Sequence, residues 1–340
     1  MHTKQPPQPV PRAASWQKLF LAAVVVGGAV WLGWRAYFDL RAKAQPAANA
    51  TATPIPFDGQ RAYDYLKSLC ALGRRPSGSP GMAAQQQLLA DHFRNLGAEV
   101  ELQRFEFPDP RDAKTKVPGV NLIVHWHPQR SQRILLCTHY DTLPFPVRDA
   151  HNPQGTFLGA NDGTSGTALL MALGREIPGL QLSYGVDFAF FDAEEFNFVK
   201  APPDDQFFLG AKFFAQQYVK NQPACHYRWG VLLDMIGKTG LELYFERHSI
   251  EWNDTRPLVE EIWATADRLG VRAFVPRLRD DVNDDHVPLH DLGKIPTCDL
   301  IDFDYPAWHT EGDLPEQCSA DSLAKVGWVL REWLKTEDRR

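Results

Sequence analysis

Residues 186–196 read VDFAFFDAEEF, an apolar run that ends abruptly in acids: Asp192, Glu194 and Glu195. Strands covered on both faces read as short, nearly continuous apolar segments, and this one has that length and composition. Three neighbouring segments share the design. Residues 133–137 (RILLC) lead into Thr138-His139-Tyr140-Asp141, residues 230–233 (GVLL) into Asp234, and residues 297–301 (TCDLI) toward a loop that holds Trp308-His309-Thr310. Further strands are expected at 99–107 and 121–126. Apolar residues at helical spacing predict helices over 60–72, 81–96, 165–176, 207–219, 257–269 and 319–335. Strands alternating with helices imply an α/β fold: a three-layer sandwich with a central mixed, mostly parallel sheet and helices on both faces.

In open α/β sheets, ligands bind beyond the carboxyl ends of the strands, which is where these polar residues fall. Two more polar clusters belong with them, Asn161-Asp162 ahead of the helix at 165 and Asn283-Asp284-Asp285-His286 after a polar loop. Taken singly, each has an ordinary explanation. An Asp before a helix usually caps it, and a strand-terminal Asp usually serves a turn. Taken together they converge, and converged carboxylates repel unless a cation or a shared proton relieves them. Carboxylate and imidazole in one place suit zinc.

The flanks set the organisation. Residues 19–34 (LFLAAVVVGGAVWLGW) are uncharged and mostly apolar, and Ala36, Tyr37 and Phe38 extend the run past Arg35. About 20 such residues cross a bilayer, so 19–38 is expected to be a transmembrane anchor following a short tail at 1–18. A cleaved signal peptide would need a small-residue site closer to the apolar run. Residues 39–56, rich in Ala and Pro, read as a linker, and the catalytic domain is expected over 57–340. Residues 1–56 carry six Lys/Arg against the single acid Asp39, so the overall charge of −6 leaves −11 on the remainder. That body lacks the basic footprint of nucleic-acid binding. Five scattered cysteines provide no disulfide framework.

The ordered blocks resemble the zinc aminopeptidase and glutaminyl-peptide cyclotransferase superfamily. They are ALGRRPSGS (71–79), THYDT (138–142), GANDGTSGTALLMAL (159–173), FFDAEEF (190–196), LLDMIG (232–237), DDHVPL (284–289) and WHT (308–310). The resemblance spans essentially the whole chain from residue 57. It implies a membrane-tethered enzyme with its catalytic body outside the cytoplasm, acting on peptide or protein N-termini.

In the cyclotransferase branch, the resemblance implies one Zn2+ held by Asp162, Glu195 and His309. Glu194 is then the proton shuttle, Asp234 and Asp284 form a hydrogen-bonded acidic cluster beside it, and Trp308 borders the substrate. In the aminopeptidase branch, His139 and Asp234 complete a second Zn2+ site, and Glu194 is the general base. The acid pair Asp284-Asp285 and Trp308 favour the cyclotransferase, which cyclises N-terminal glutamine to pyroglutamate and releases ammonia. One departure stands against it. Animal glutaminyl cyclases carry a tryptophan shortly after the double glutamate, where this chain has Phe196-Asn197-Phe198. Both branches remain open on the residues, as do the natural substrate and the oligomeric state.

Overall fold

The structure, a computed structural model, describes residues 55–203, 206–221 and 225–337. The tail, the expected transmembrane segment and the linker up to residue 54 lie outside the described residues. Among the described residues no helix is long and apolar enough to cross a membrane.

In chain order the elements are α1 (Gly59–Cys70), α2 (Pro80–Asn95), β1 (Glu99–Asp109), β2 (Asp112–Trp126), β3 (Gln132–His139), α3 (Thr164–Gly174), β4 (Gly185–Phe191), α4 (Leu209–Asn221) and β5 (His226–Asp234). There follow β6 (Leu243–Glu246), α5 (Arg247–Glu251), α6 (Arg256–Leu269), β7 (Phe274–Asp280), α7 (His286–Asp291), β8 (Thr297–Ile301) and α8 (Ala320–Glu337). The main sheet runs β1-β2-β4-β3-β5-β8. Its first two pairings are antiparallel and the other three parallel, as the sequence pattern anticipated.

The two-residue period of each strand divides the core. Val186, Phe188 and Phe190 of β4, with Ile134 and Leu136 of β3, face a large apolar cluster shared with α1, α2, α3, α6 and α8. Ala189 and Phe191, with Leu135 and Cys137, face the opposite side, against Ala211 and Phe214 of α4 and Leu289 of α7. Both faces are therefore covered, which is why these segments carry so few polar residues.

The expected helices all form, with ends shifted by a few residues. Four elements went unread. β7 (FVPRLRD) contains a proline and two arginines, and it pairs only with the four-residue β6 in a separate parallel ribbon. α5 and α7 span five and six residues, too few to show a helical period. β2 also starts earlier than expected, because its exposed first third, residues 112–116, pairs with β1 in a long hairpin without contributing to the apolar pattern.

β3 lies between β4 and β5, so the carboxyl ends of all three are adjacent, with His139 paired to Phe191 and Cys137 to Leu232. Helix α3 starts directly above this point. A Cβ at Gly166 would lie 2.4 Å from the Leu233 carbonyl oxygen and 2.3 Å from Thr138 Oγ1. The missing side chain lets the first turn of the helix sit on the ends of β3 and β5.

Candidate metal centre

Four strand ends and two loops deliver their polar residues to one buried place. His139 ends β3, and its Nε2 lies 3.1 Å from Asp162 Oδ1 and 3.2 Å from Asp234 Oδ1 at the end of β5. His309, from the loop after β8, brings its Nε2 to 3.4 Å from Asp162 Oδ2 and 3.0 Å from Glu195 Oε2. Two triads result, His139–Asp162–Asp234 and Asp162–Glu195–His309, with Asp162 common to both. All five residues are buried.

Asp162 is not a helix cap. The residue before α3 is Gly163 at φ 73°, and no side chain caps this helix. The positive φ, which favours glycine, turns the chain so that Asp162 points at the two histidines instead of at the helix amides. Its carboxyl is held below the ordinary range: burial opposes ionisation, but the closeness of His139 and His309 outweighs it. Asp162 Oδ2, Glu195 Oε2 and His139 Nδ1 are buried with no satisfied hydrogen bond. Buried polar atoms without partners are costly, and a cation among them accounts for the arrangement. The donor set, carboxylate and imidazole, fits zinc.

Glu194 sits beside the triads. Its Oε2 lies 3.9 Å from His139 Nδ1. Burial raises its proton affinity well above that of an ordinary glutamate, His139 opposes this, and the carboxylates of Asp284, Glu195 and Asp285 reinforce it. Asp284 is itself raised, first by burial and then by Asp234 and Asp285. Asp285 is buried, and its carboxyl is pushed up to about 8. The structure brings Asp284 near enough to Glu194, Asp234 and Asp285 for their charges to act on one another, while no hydrogen bond joins Asp234 to Asp284 among the described residues. The Trp308 ring lies 4.2 Å from the His309 ring and 4.7 Å from Phe303. Phe198 packs on Phe196 and Phe145 with the Arg111 guanidinium 4.2 Å above it.

Backbone strain collects here. Ala193 (φ 57°), Met235 (φ 47°) and His309 (φ 60°) occupy the left-handed region, each at or next to a site residue. Such conformations cost energy and persist where surrounding contacts over-determine them.

Three positioning residues were not singled out from the sequence. Asp141 accepts the backbone N–H of Glu194 at 3.0 Å and of Glu195 at 3.3 Å. Asp313 accepts the N–H groups of Asn161 (2.8 Å) and Asp162 (3.1 Å) and the Tyr305 hydroxyl (2.7 Å). Arg75, wholly buried, donates to Thr164 Oγ1 at 2.6 Å and to the Leu158 carbonyl at 2.8 Å. Asp141 and Arg75 lie inside quoted blocks, so position alone marked them. Asp313 sits in an ordinary polar loop and carried no signal.

Residues 121–334 match the family model for Peptidase family M28. The chain is 24% identical over 284 residues to a glutaminyl-peptide cyclotransferase of Bos taurus, covering 76% of each. The solved structure of Fimbriiglobus ruber glutaminyl cyclase superposes with a TM-score of 0.77 at 36% identity, covering 86% of this chain and 99% of that one. A Zn-dependent exopeptidase from Parabacteroides distasonis superposes with a TM-score of 0.77 at 28% identity, covering 84% of this chain and 100% of that one.

Proposed function

The chain belongs to the zinc-dependent Peptidase family M28, and from that premise we propose that it is a glutaminyl-peptide cyclotransferase. The observation that carries this reading is Glu194, a partly buried carboxyl beside His139 whose proton affinity is raised by its low-solvent setting and by the adjacent carboxylates of Asp284, Glu195 and Asp285. The likeness to the Fimbriiglobus ruber glutaminyl cyclase supports it.

Asp162, Glu195 and His309 would hold zinc. The bound ion would supply Lewis acidity toward the γ-carbonyl of an N-terminal glutamine. The substrate's α-amine attacks that carbonyl carbon, the bond to the amide nitrogen breaks, and ammonia departs. Glu194 takes the proton that the amine sheds and returns it to the leaving nitrogen, a task suited to a carboxyl whose proton affinity is raised above that of an ordinary glutamate. Asp141 fixes the backbone so that Glu194 and Glu195 project differently, one beside the metal and one toward it. Trp308, its ring tilted against that of His309 at 4.2 Å, would form a wall of the substrate pocket.

A second reading has its own observation. The His139–Asp162–Asp234 triad provides a second cation site, as a dizinc aminopeptidase would use. The same Glu194 would then deprotonate the attacking water. Metal analysis of the purified protein, with assays on glutaminyl and leucyl aminoacyl-fluorophores, separates the two. A single zinc with turnover of glutaminyl substrates alone supports the cyclotransferase; two zinc ions with sustained release from leucyl substrates overturn it.

In this proposal residues 19–38 anchor the protein in a membrane, 39–56 form a tether, and the catalytic domain from residue 57 acts outside the cytoplasm on peptide or protein N-termini. The apolar run and the Ala- and Pro-rich stretch after it support that arrangement.

A further inference from the structure

The segment between β3 and α3 carries an arginine whose placement the reaction does not require. Residues 145–157 have no regular structure and lie along the loop that bears His309. The Arg148 N–H donates to the His309 carbonyl at 3.0 Å, and the Arg148 guanidinium rests 4.0 Å from the Trp308 ring centre. Asp149 and Glu311 are the acids that tie these two loops together, and other groups of the loops occupy them. Asp149 accepts the N–H groups of His151 and Asn152 (2.9 Å each) and of Glu311 (3.1 Å). Glu311 accepts from the Thr156 N–H at 2.9 Å and the Asn152 amide at 3.2 Å. Among the described residues, no carboxylate lies within 4.0 Å of the Arg148 guanidinium. An exposed arginine ordinarily adapts to whatever anion is near, but this one, itself exposed, lies over an indole with its guanidinium carbon 4.0 Å from the ring centre.

We propose that Arg148 is a specificity-determining residue that favours substrates whose second residue carries a carboxylate side chain. The proposal rests on the reading that a peptide N-terminus enters this site. Trp308 adjoins the ligand His309, and on the proposed reading a chain whose first residue reaches Glu194 passes Trp308, which brings its second side chain to the guanidinium over that ring. The cation–π contact with Trp308 and the hydrogen bond from its own N–H to the His309 carbonyl pre-order the arginine and lower the entropy lost when it engages a carboxylate. The domain as a whole is acidic, −11 over residues 57–340, and would disfavour acidic peptides. A cation at the mouth therefore acts against the background field, as a local selector. Arg74 extends the same rim, its guanidinium donating to the Pro144 carbonyl at 3.0 Å and lying 5.4 Å from the Phe145 ring.

The test measures kcat/KM of the zinc-loaded protein on Gln-Glu, Gln-Ala and Gln-Lys dipeptide amides, and on the matching Leu series, at low salt. The Glu-to-Lys ratio at the second position is expected to be about fivefold, the size of a partly exposed ion pair. It should fall toward one in R148A, be partly restored in R148K, and shrink in 0.5 M NaCl as screening removes the attraction. Equal rates for Glu and Lys with the wild-type protein, or a ratio that R148A leaves unchanged, overturn the proposal. Turnover confined to the Leu series defeats the cyclotransferase reading, while the ratio in that series still reports on Arg148. If R148A does not fold, the salt response decides, and a ratio indifferent to salt overturns the assignment. If neither series is turned over, calorimetric binding of the same dipeptide amides supplies the ratio.

Discussion

The Asp141 carboxylate accepts the backbone N–H of Glu194 at 3.0 Å, so the residue proposed to move protons is positioned by a side chain that does not touch the substrate. The second oxygen of Asp141 takes the next amide, that of Glu195, at 3.3 Å. Replacing Asp141 with Asn puts an amide NH2 against one of these donors. We expect D141N to fold and to retain zinc, while kcat falls about tenfold or more through misplacement of Glu194. Kinetics beside metal analysis of the same preparation check this, and unchanged kcat would remove Asp141 from the positioning role.

Glu194→Gln keeps the shape of the side chain and removes its proton chemistry. Turnover is expected to drop by about 10²–10⁴-fold, the range for losing a general acid–base group, with zinc content unchanged. Steady-state rates and metal stoichiometry of E194Q decide the point. Turnover close to that of the wild type would sink the proposed mechanism in either branch of the family.

Asp313 holds the loop that carries Asp162, through two backbone amides and the Tyr305 hydroxyl. Burial, followed by the charge of Asp162, pushes its carboxyl up to about 7. Asp313→Ala strands three buried donors, which should cost about 2–4 kcal/mol of stability. Loss of such an outer contact should also weaken zinc binding about 10–100-fold. Denaturant melts and competition with a chelator measure the two effects separately.

Far from the site, His125 Nδ1 lies 2.8 Å from Asp187 and its Nε2 3.5 Å from Glu101. Burial lowers its proton affinity, but the two carboxylates prevail and raise its pKa from an ordinary 6.5 to about 9. The folded protein thus binds this proton more tightly than the unfolded chain does. The stabilisation is complete below pH 6.5 and is lost as pH rises through about 9. Between pH 6 and pH 10 the wild type should lose about 3 kcal/mol more than His125→Gln. Parallel pH dependence of the two melting curves would contradict this.

Gly166→Ala places a methyl against the Leu233 carbonyl and Thr138 Oγ1. Because the first contact is backbone, relief requires the helix to move off the sheet, at a cost of about 1–3 kcal/mol. Thermal denaturation reads that cost. A lowered zinc content at 25 °C would show that the shift also reaches Asp162.

Much of this was legible in the sequence because two periodicities carry it. Strands buried on both faces must be apolar throughout, so β3, β4, β5 and β8 stood out, and with them the acids and histidines at their ends. The elements that escaped notice were those whose residues answer to another part of the molecule. β7 mixes proline and arginine with apolar residues because it borders a two-stranded ribbon. α7 is too short to show a period, although its first residue, His286, is completely buried.

The chain's own order of residues determined the α/β architecture and the identity of the polar side chains at the strand termini, since burial dictates composition and ladder geometry dictates alternation. Only the tertiary structure decided that Asp162 faces two histidines and does not cap α3, because that depends on a glycine turn and on Asp313 reaching across from a distant loop. It also decided that Glu194 stands among buried acids and that Arg148 lies over Trp308. Electrostatic environment is a property of distances in space, and residues far apart along the backbone acquire it only when the sheet brings them together.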